Sequence, residues 1–325
     1  MARPQAGARP VVAVICNPVN VNPPEVRAAI DEEAKRHGCG PTRWFETTVD
    51  DPGQDATVRA LAVNPNLLIV IGGDGTIRAA AEVAHDRNVP VEVVPVGTGN
   101  LLARNLNLPL NNPADSIRIA FSGTDMPIDV AHAQFTREDG ATERNIFLVM
   151  AGIGLDASMA AHTDVRMKKR FGWIAYSDPI ARSVFRNKHI RIHYRLDDDP
   201  IQTVRAHTVI VGNCGTLTAN ILLLPDAKID DGLLDVVVLS PKGFGDWLRI
   251  GTRLVFHRFL HRTRGGKLAL ELTPRPRALQ YAQARTLHAD FDRPKKIQLD
   301  GDSFGHVASV TVTVQSGGLT VRVPH

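Results

Sequence analysis

Residues 67–76 read Leu67-Leu68-Ile69-Val70-Ile71-Gly72-Gly73-Asp74-Gly75-Thr76. The unbroken apolar run predicts a strand covered on both faces, as in parallel sheets. The glycines end it, and Ile77–Arg87 then reads as a helix. Glycines at such a turn permit φ > 0 and let bare backbone N–H groups approach a phosphate. The following helix N-terminus adds a positive partial charge. Asp74 is the odd member. A carboxylate among phosphates repels them unless it holds a cation or takes a proton, which points to Mg²⁺ or to an attacking hydroxyl. The plain alternative is a tight strand–helix turn with no ligand.

Working outward, Val11–Cys16 reads as a buried strand ending at Asn17-Pro18. Glu25–His37 has helical spacing and is stopped by Gly38 and Gly40. Thr42–Glu46 reads as a strand, Asp55–Val63 as a helix, and Val91–Val96 as a strand ending in Gly97-Thr98-Gly99. Strands alternating with helices predict a parallel sheet, with ligands beyond the carboxyl ends of its strands. Both glycine turns fall there. In the second, Pro95–Asn105, Thr98 can donate to a phosphate and Arg104 can neutralise one. The chain lacks G-x-x-x-x-G-K-[ST] and lacks a strand–G-x-G-x-x-G–helix unit, which argues against a P-loop or an ordinary dinucleotide site.

After about Thr124 the pattern changes to closely spaced strands: Ile128–Phe135, Asn145–Met150, His189–Leu196, Val204–Gly212, Leu234–Leu239, Arg285–Phe291, Lys296–Leu299 and Val307–Val314. Their alternation predicts antiparallel, half-buried pairing. Helical interruptions are expected at Leu155–Lys169 and Phe244–His261. The predicted organisation is a disordered lead over 1–10, an α/β parallel-sheet domain over 11–125 and an antiparallel β-sandwich over 126–325.

With 325 residues, 43% of them hydrophobic, the chain can bury two domain cores. A net charge of +4 permits nucleotide phosphates, anionic lipid or nucleic acid and selects none. No aromatic stacking platform interleaves with the charges, so nucleic acid fits poorly. Cys16, Cys39 and Cys214 have neither zinc spacing nor an even count, which predicts a reducing, cytoplasmic setting. No apolar run approaches the ~18 residues that span a bilayer. Met1–Pro10 has no apolar stretch of the kind a secretory signal needs. Phe244–Arg264 combines Trp247, Leu254 and Phe259 with Arg249, Arg253 and Arg258. That pattern predicts a basic amphipathic helix suited to peripheral contact with an anionic membrane; a core-packing helix with a solvated basic face is the alternative. Lys168-Lys169-Arg170 and Arg182–Lys188 are a second candidate patch, with a solvated basic face as the default reading. Nothing in the sequence fixes the oligomeric state, and a homodimer stays open.

The two glycine loops, Gly72–Thr76 and Pro95–Arg104, together resemble the diacylglycerol kinase catalytic family, which includes soluble bacterial diacylglycerol kinases and the sphingosine and ceramide kinases. Further blocks in the same order resemble that family: Gly152–Ala157, Lys168–Tyr176, Pro225–Asp235 and Gln298–Asp302. The resemblance implies an α/β nucleotide domain, a C-terminal β-sandwich, ATP with Mg²⁺, and a lipid acceptor carrying a primary hydroxyl at a membrane surface. Matched by motif, Asn17 and Thr48 would touch the nucleotide. Gly72, Gly73, Asp74, Gly75, Thr76, Gly97, Thr98 and Asn100 would hold it through its phosphates. The match around Thr48 is loose, because Val49–Gln54 is longer than the usual turn. Mg²⁺ would be bound by the Asp231 carboxylate with the carbonyls of Lys228 and Leu233. Asp300 would be the general base, with Asp302 beside it across Gly301; without the resemblance, Asp300-Gly301-Asp302 reads as a surface turn.

The chain departs from the family at several points. Leu101 stands where an Asp is common, and Asp302 where the family has a longer Glu. Arg78 replaces an Asn frequent in the bacterial type, and Val19-Asn20-Val21 replaces the usual Ser-Gly. The chain stops at His325 soon after a strand at Leu319–Val323, so the family's C-terminal return to the first domain is not expected. These departures bear on the acceptor more than on the reaction class. Two other readings share the motifs: an NAD kinase, with the same Gly-Gly-Asp-Gly loop, and a nucleotide or lipid sensor without catalysis. Asp230-Asp231-Gly232 and Asp300-Gly301-Asp302 favour the lipid branch.

Overall fold

The computed structural model describes residues 9–18, 23–110, 112–154, 189–216, 223–241, 245–246 and 278–325. It divides into two compact units, one of Met1–Val130 with Ser316–His325 and one of Ala131–Gln315. The expected helices at Leu155–Lys169 and Phe244–His261 and both basic patches lie outside the described residues, apart from 245 and 246.

In chain order the first unit runs β1 (Val12–Cys16), α1 (Pro23–Arg36), β2 (Arg43–Glu46), α2 (Gln54–Leu61), β3 (Leu67–Gly72), α3 (Asp74–Ala84), β4 (Val91–Pro95), α4 (Leu101–Asn105) and α5 (Pro113–Ser122). Pairing is parallel throughout, in the order β4-β3-β1-β2. β1, β3 and β4 are buried at every position, which explains their unbroken apolar sequence. Val14, Ile69 and Val94 pack with Ile30 of α1 and Ile117 of α5. Glu92 is the exception in this core. It is fully buried, and its carboxylate oxygens have no hydrogen-bond partner among the described residues. Burial pushes its carboxyl up to about 9, against the lowering effect of Arg322.

The second unit contains β6 (Thr142–Phe147), β7 (Met150–Ile153), β8 (Ile190–Leu196), β9 (Gln202–Ala206), β10 (Thr208–Gly212), β11 (Leu234–Leu239), β12 (Leu279–Ala284) and β13 (Thr286–Leu299). Two strands pass from one unit into the other, β5 (Thr124–Thr136) and β14 (Asp302–Val323). The order β12-β11-β10-β7-β13 is antiparallel at every step, and β13 also pairs with β8 and β14. The core between these strands includes Phe135, Phe147, Ile153, Val211, Val236, Leu287, Ile297 and Val310. Leu223, Leu224, Val237 and Leu279 form a second apolar cluster. No helix among the described residues is long and apolar enough to cross a membrane.

The structure corrects several expectations. α3 starts at Asp74, three residues before the predicted Ile77, because Gly73 takes an extended N-cap conformation and an acid at the first helical position suits the helix dipole. The two strands expected at 285–299 are one, with two register shifts, one between Asp290 and Lys295 that spans Pro294 and one between Lys296 and Gln298. The C-terminal return is present: Val321 pairs in parallel with Val91, which places Ser316–His325 in the first unit and not in the sandwich. The Arg322 guanidinium secures it, donating to Asp125 Oδ1 and to the Ala120 carbonyl, each at 2.8 Å.

Candidate functional site

The parallel order of β4-β3-β1-β2 puts all four carboxyl ends on one edge of the first unit's sheet. Asn17 follows β1, and its N–H donates to the Ile71 carbonyl at 3.1 Å, beside the end of β3. Thr48 follows β2. Its Oγ1 accepts from the Asp51 N–H at 3.0 Å, while the Asp51 carboxylate accepts from the amides of Gly53, Asp55 and Ala56. Asp51, inside the long Val49–Gln54 stretch, thus satisfies amides at the start of α2, whose N-cap residue is Gly53, a role that the sequence reading missed.

The two glycine loops pack backbone against backbone. Val96 N–H donates to the Gly72 carbonyl at 3.1 Å, and a Cβ at Gly97 would lie 2.9 Å from Gly73 Cα. Asp74 ties the loops together, accepting from the Leu101 N–H through Oδ1 at 2.6 Å. A Cβ at Gly99 would stand 2.5 Å from its Oδ2, so a larger residue there would push this carboxylate aside. Asn100 is buried in the left-handed region at φ 47°. Its amide closes a ring on Gly97, accepting from the N–H at 3.0 Å and donating to the carbonyl at 2.8 Å. The N-cap of α3 is Gly73, which brings no side chain to the helix start. The amides of its first turn, Asp74, Gly75 and Thr76, thus open α3 at the sheet edge, suited to an anion. Thr98 is exposed on the same edge, and Thr76 is buried beneath it. Arg104 donates from Nε to the Gly99 carbonyl at 2.7 Å, so it shapes the loop as well as carrying charge.

In the second unit, Leu299 pairs with Asp302, and Asp300-Gly301 makes the two-residue turn at φ 48° and 96°. Positive φ at both positions is the type I′ hairpin preference. The turn is a hairpin, and it separates its two acids by burial: Asp300 is buried and Asp302 exposed. The Asp300 carboxylate accepts three backbone N–H groups, from Leu148 at 2.8 Å, Val149 at 2.9 Å and Met150 at 3.0 Å.

The segment Lys228–Leu233 precedes β11. Asp231 Oδ1 accepts from the Leu233 N–H at 3.1 Å, and Gly232 turns the chain at φ 71°. Nearby Asp235 is raised to about 6, first by burial, and further by Asp231 and Asp226, while Gln283 lowers it by hydrogen bonding. Among the described residues, no three or more His, Cys, Asp or Glu side chains cluster as metal ligands. A cation here would need backbone oxygens, and a carboxylate with the carbonyls of Lys228 and Leu233 is a hard-oxygen donor set that fits Mg²⁺.

Comparison with known proteins agrees with both units. Residues 12–133 match the diacylglycerol kinase catalytic domain, and residues 149–322 match the YegS C-terminal NAD kinase beta sandwich-like domain. A diacylglycerol kinase of Mycobacterium tuberculosis (strain CDC 1551 / Oshkosh) is 28% identical over 193 residues, which is 59% of this chain and 60% of that protein. A Pseudomonas aeruginosa protein (strain UCBPP-PA14) named "Probable lipid kinase YegS-like" is 31% identical over 221 residues, 66% of this chain and 67% of that protein. A crystal structure of a diacylglycerol kinase from Bacillus anthracis str. Sterne superposes with a TM-score of 0.65 at 18% identity, covering 98% of each chain. Yeast NADH kinase in complex with NADH superposes with a TM-score of 0.53 at 10% identity, covering 98% of this chain and 84% of that one. At these identities the structural likeness speaks for the fold alone. With more than half its length matched by one domain model and a further third by the other, the chain belongs to the diacylglycerol kinase catalytic family in the form that carries a YegS-type C-terminal β-sandwich.

Proposed function

We propose that this protein transfers the γ-phosphoryl group of ATP to the primary hydroxyl of a lipid, with diacylglycerol as the acceptor and phosphatidic acid as the product. The observation that carries the reading is the pair of glycine loops stapled by Asp74 at the carboxyl edge of a parallel sheet. Phosphoryl transfer asks mostly for positioning and charge stabilisation. The first-turn amides of α3 and the Thr98 hydroxyl hold phosphate oxygens, and Arg104 keeps the second loop in shape. Asn17 and Thr48 flank the nucleotide. A lipid hydroxyl has a high pKa, so its proton must leave as the new P–O bond forms; the Asp300 carboxylate accepts it. Mg²⁺, held by Asp231 with the carbonyls of Lys228 and Leu233, supplies local charge neutralisation when bound. The acceptor lies in a membrane, and the reading includes peripheral contact by a protein that otherwise works in the cytoplasm, with residues 244–264 as the contact.

The test is labelled ATP with Mg²⁺ and a panel of diacylglycerol, monoacylglycerol, ceramide, sphingosine and undecaprenol in mixed micelles, with a parallel NAD⁺ arm. Labelled phosphatidic acid is the expected product. Label in NADP⁺ would move the protein to the NAD kinase branch. ATP binding with no transfer to any acceptor would make it a sensor.

A further inference from the structure

The Asp300 carboxylate owes its place to the segment Leu148–Met150, the bend after β6 and the first residue of β7. Every backbone polar group of these three residues is accounted for. Their N–H groups all donate to Asp300. The Met150 carbonyl accepts from the Asp300 N–H at 2.9 Å. The two remaining carbonyls are held from the opposite side by the bend that follows β10. Val149 O accepts from the N–H of Asn213 at 2.8 Å and of Cys214 at 3.2 Å. Leu148 O accepts from Asn213 Nδ2 at 3.1 Å and from the Cys214 thiol at 3.5 Å. Asn213 is fully buried. Burial, and then the nearby Asp300, push the Cys214 thiol up, so it stays a protonated donor. Buried backbone groups rarely go unpaired, so this accounting describes a rigid clamp. Asp300 alone does not make it, because a carboxylate on a two-residue turn can fix only the amide side of the bend.

We propose that Asn213 is a positioning residue for Asp300: its side-chain amide, gripping Leu148 O, holds the bend whose three N–H groups aim the Asp300 carboxylate, and so it sets turnover without touching nucleotide or lipid. The inference rests on the reading of Asp300 as the proton acceptor.

The experiment compares Asn213→Ala, Asn213→Asp, Asp300→Asn and the double variant Asn213→Ala/Asp300→Asn. Steady-state transfer from labelled ATP to dioctanoylglycerol in mixed micelles gives kcat and KM, and a thermal melt of each variant gives stability. Asn213→Asp keeps the shape and loses the donor. Both Asn213 variants are expected to lower kcat about 10-fold or more, leave KM for ATP within about twofold, and add nothing in the Asp300→Asn background, as groups that act as a unit do. Asn213→Ser replaces either variant that fails to fold. Losses that multiply in the double variant, an Asn213→Asp enzyme with full turnover, or a loss expressed in KM alone would overturn the proposal. If Asp300→Asn itself keeps full turnover, the general-base reading fails first, and the result is distinct from failure of the clamp.

Discussion

Two carboxylates, one in each unit, are both bonded to backbone amides, and they differ in how firmly. Asp74 accepts from the Leu101 amide, across two loops that touch backbone to backbone. Asp300 accepts three, from consecutive residues, and is itself part of a tight hairpin. The first arrangement fixes a short spacing between loops while leaving the carboxylate half-exposed at a helix N-terminus. The second buries the carboxylate and makes it the anchor of a bend. Asp74 therefore sits where solvent reaches it. Asp300 is built for precision of placement, and its removal reaches structure as well as chemistry.

The largest expected effect follows from that contrast. Asp300→Asn lowers turnover by at least about 100-fold, as loss of a general base does. It also destabilises the protein by about 1–3 kcal/mol, since one of the three N–H groups then faces an amide donor instead of an acceptor. A lipid kinase assay and urea unfolding read the two effects. Asp74→Asn is expected to lower turnover by about the same factor with a smaller stability change, because its remaining Oδ1 still accepts from Leu101. Equal unfolding midpoints for the two variants would erase the distinction between the carboxylates.

A third test sets Asp300, a buried acid with partners, against Glu92, a buried acid without hydrogen-bond partners among the described residues. Glu92 rises from 4.5 to about 9 on folding. A raised acid stabilises the fold fully below its unfolded value, and that contribution is lost as pH climbs through the folded value. Stability should thus fall between about pH 4.5 and 9, with a limiting slope of about 1.4 kcal/mol per pH unit from this group. Glu92→Gln is expected to flatten that slope in urea unfolding across the range; an unchanged slope would show that Glu92 is paired or ionised in the fold. The smallest effect is expected at exposed Asp302, where Asp302→Glu should change turnover less than about threefold, in line with a surface substitution away from buried networks.

The strands of the first unit were legible because β1, β3 and β4 are covered on both faces, and burial on both faces writes an unbroken apolar run. The glycine loops were legible from composition. The start of α3 was not, because Gly73 and Gly75 read locally as loop while tertiary packing lets the helix begin at Asp74. β12 was missed: Leu279-Gln280-Tyr281-Ala282-Gln283-Ala284 is a weakly patterned strand at the end of its sheet. The role of Arg104 as a loop brace, and the clamp of Asn213 on Leu148, depend on partners brought together only by folding. A buried amide carries no local signature. The return of β14 was misjudged for the same reason, since Val321 meets a strand far upstream in the chain.

That return has a consequence for biosynthesis. The ribosome makes residues 316–325 after residues 131–315, yet they complete the unit to which residues 1–130 belong. Until they emerge, β4 has an open flank in place of its pairing with β14 at Val321, and open strand flanks invite wrong partners. Domains usually finish folding in the order they are translated. Here the sheet of the first unit gains its last strand only once the sandwich has been synthesised.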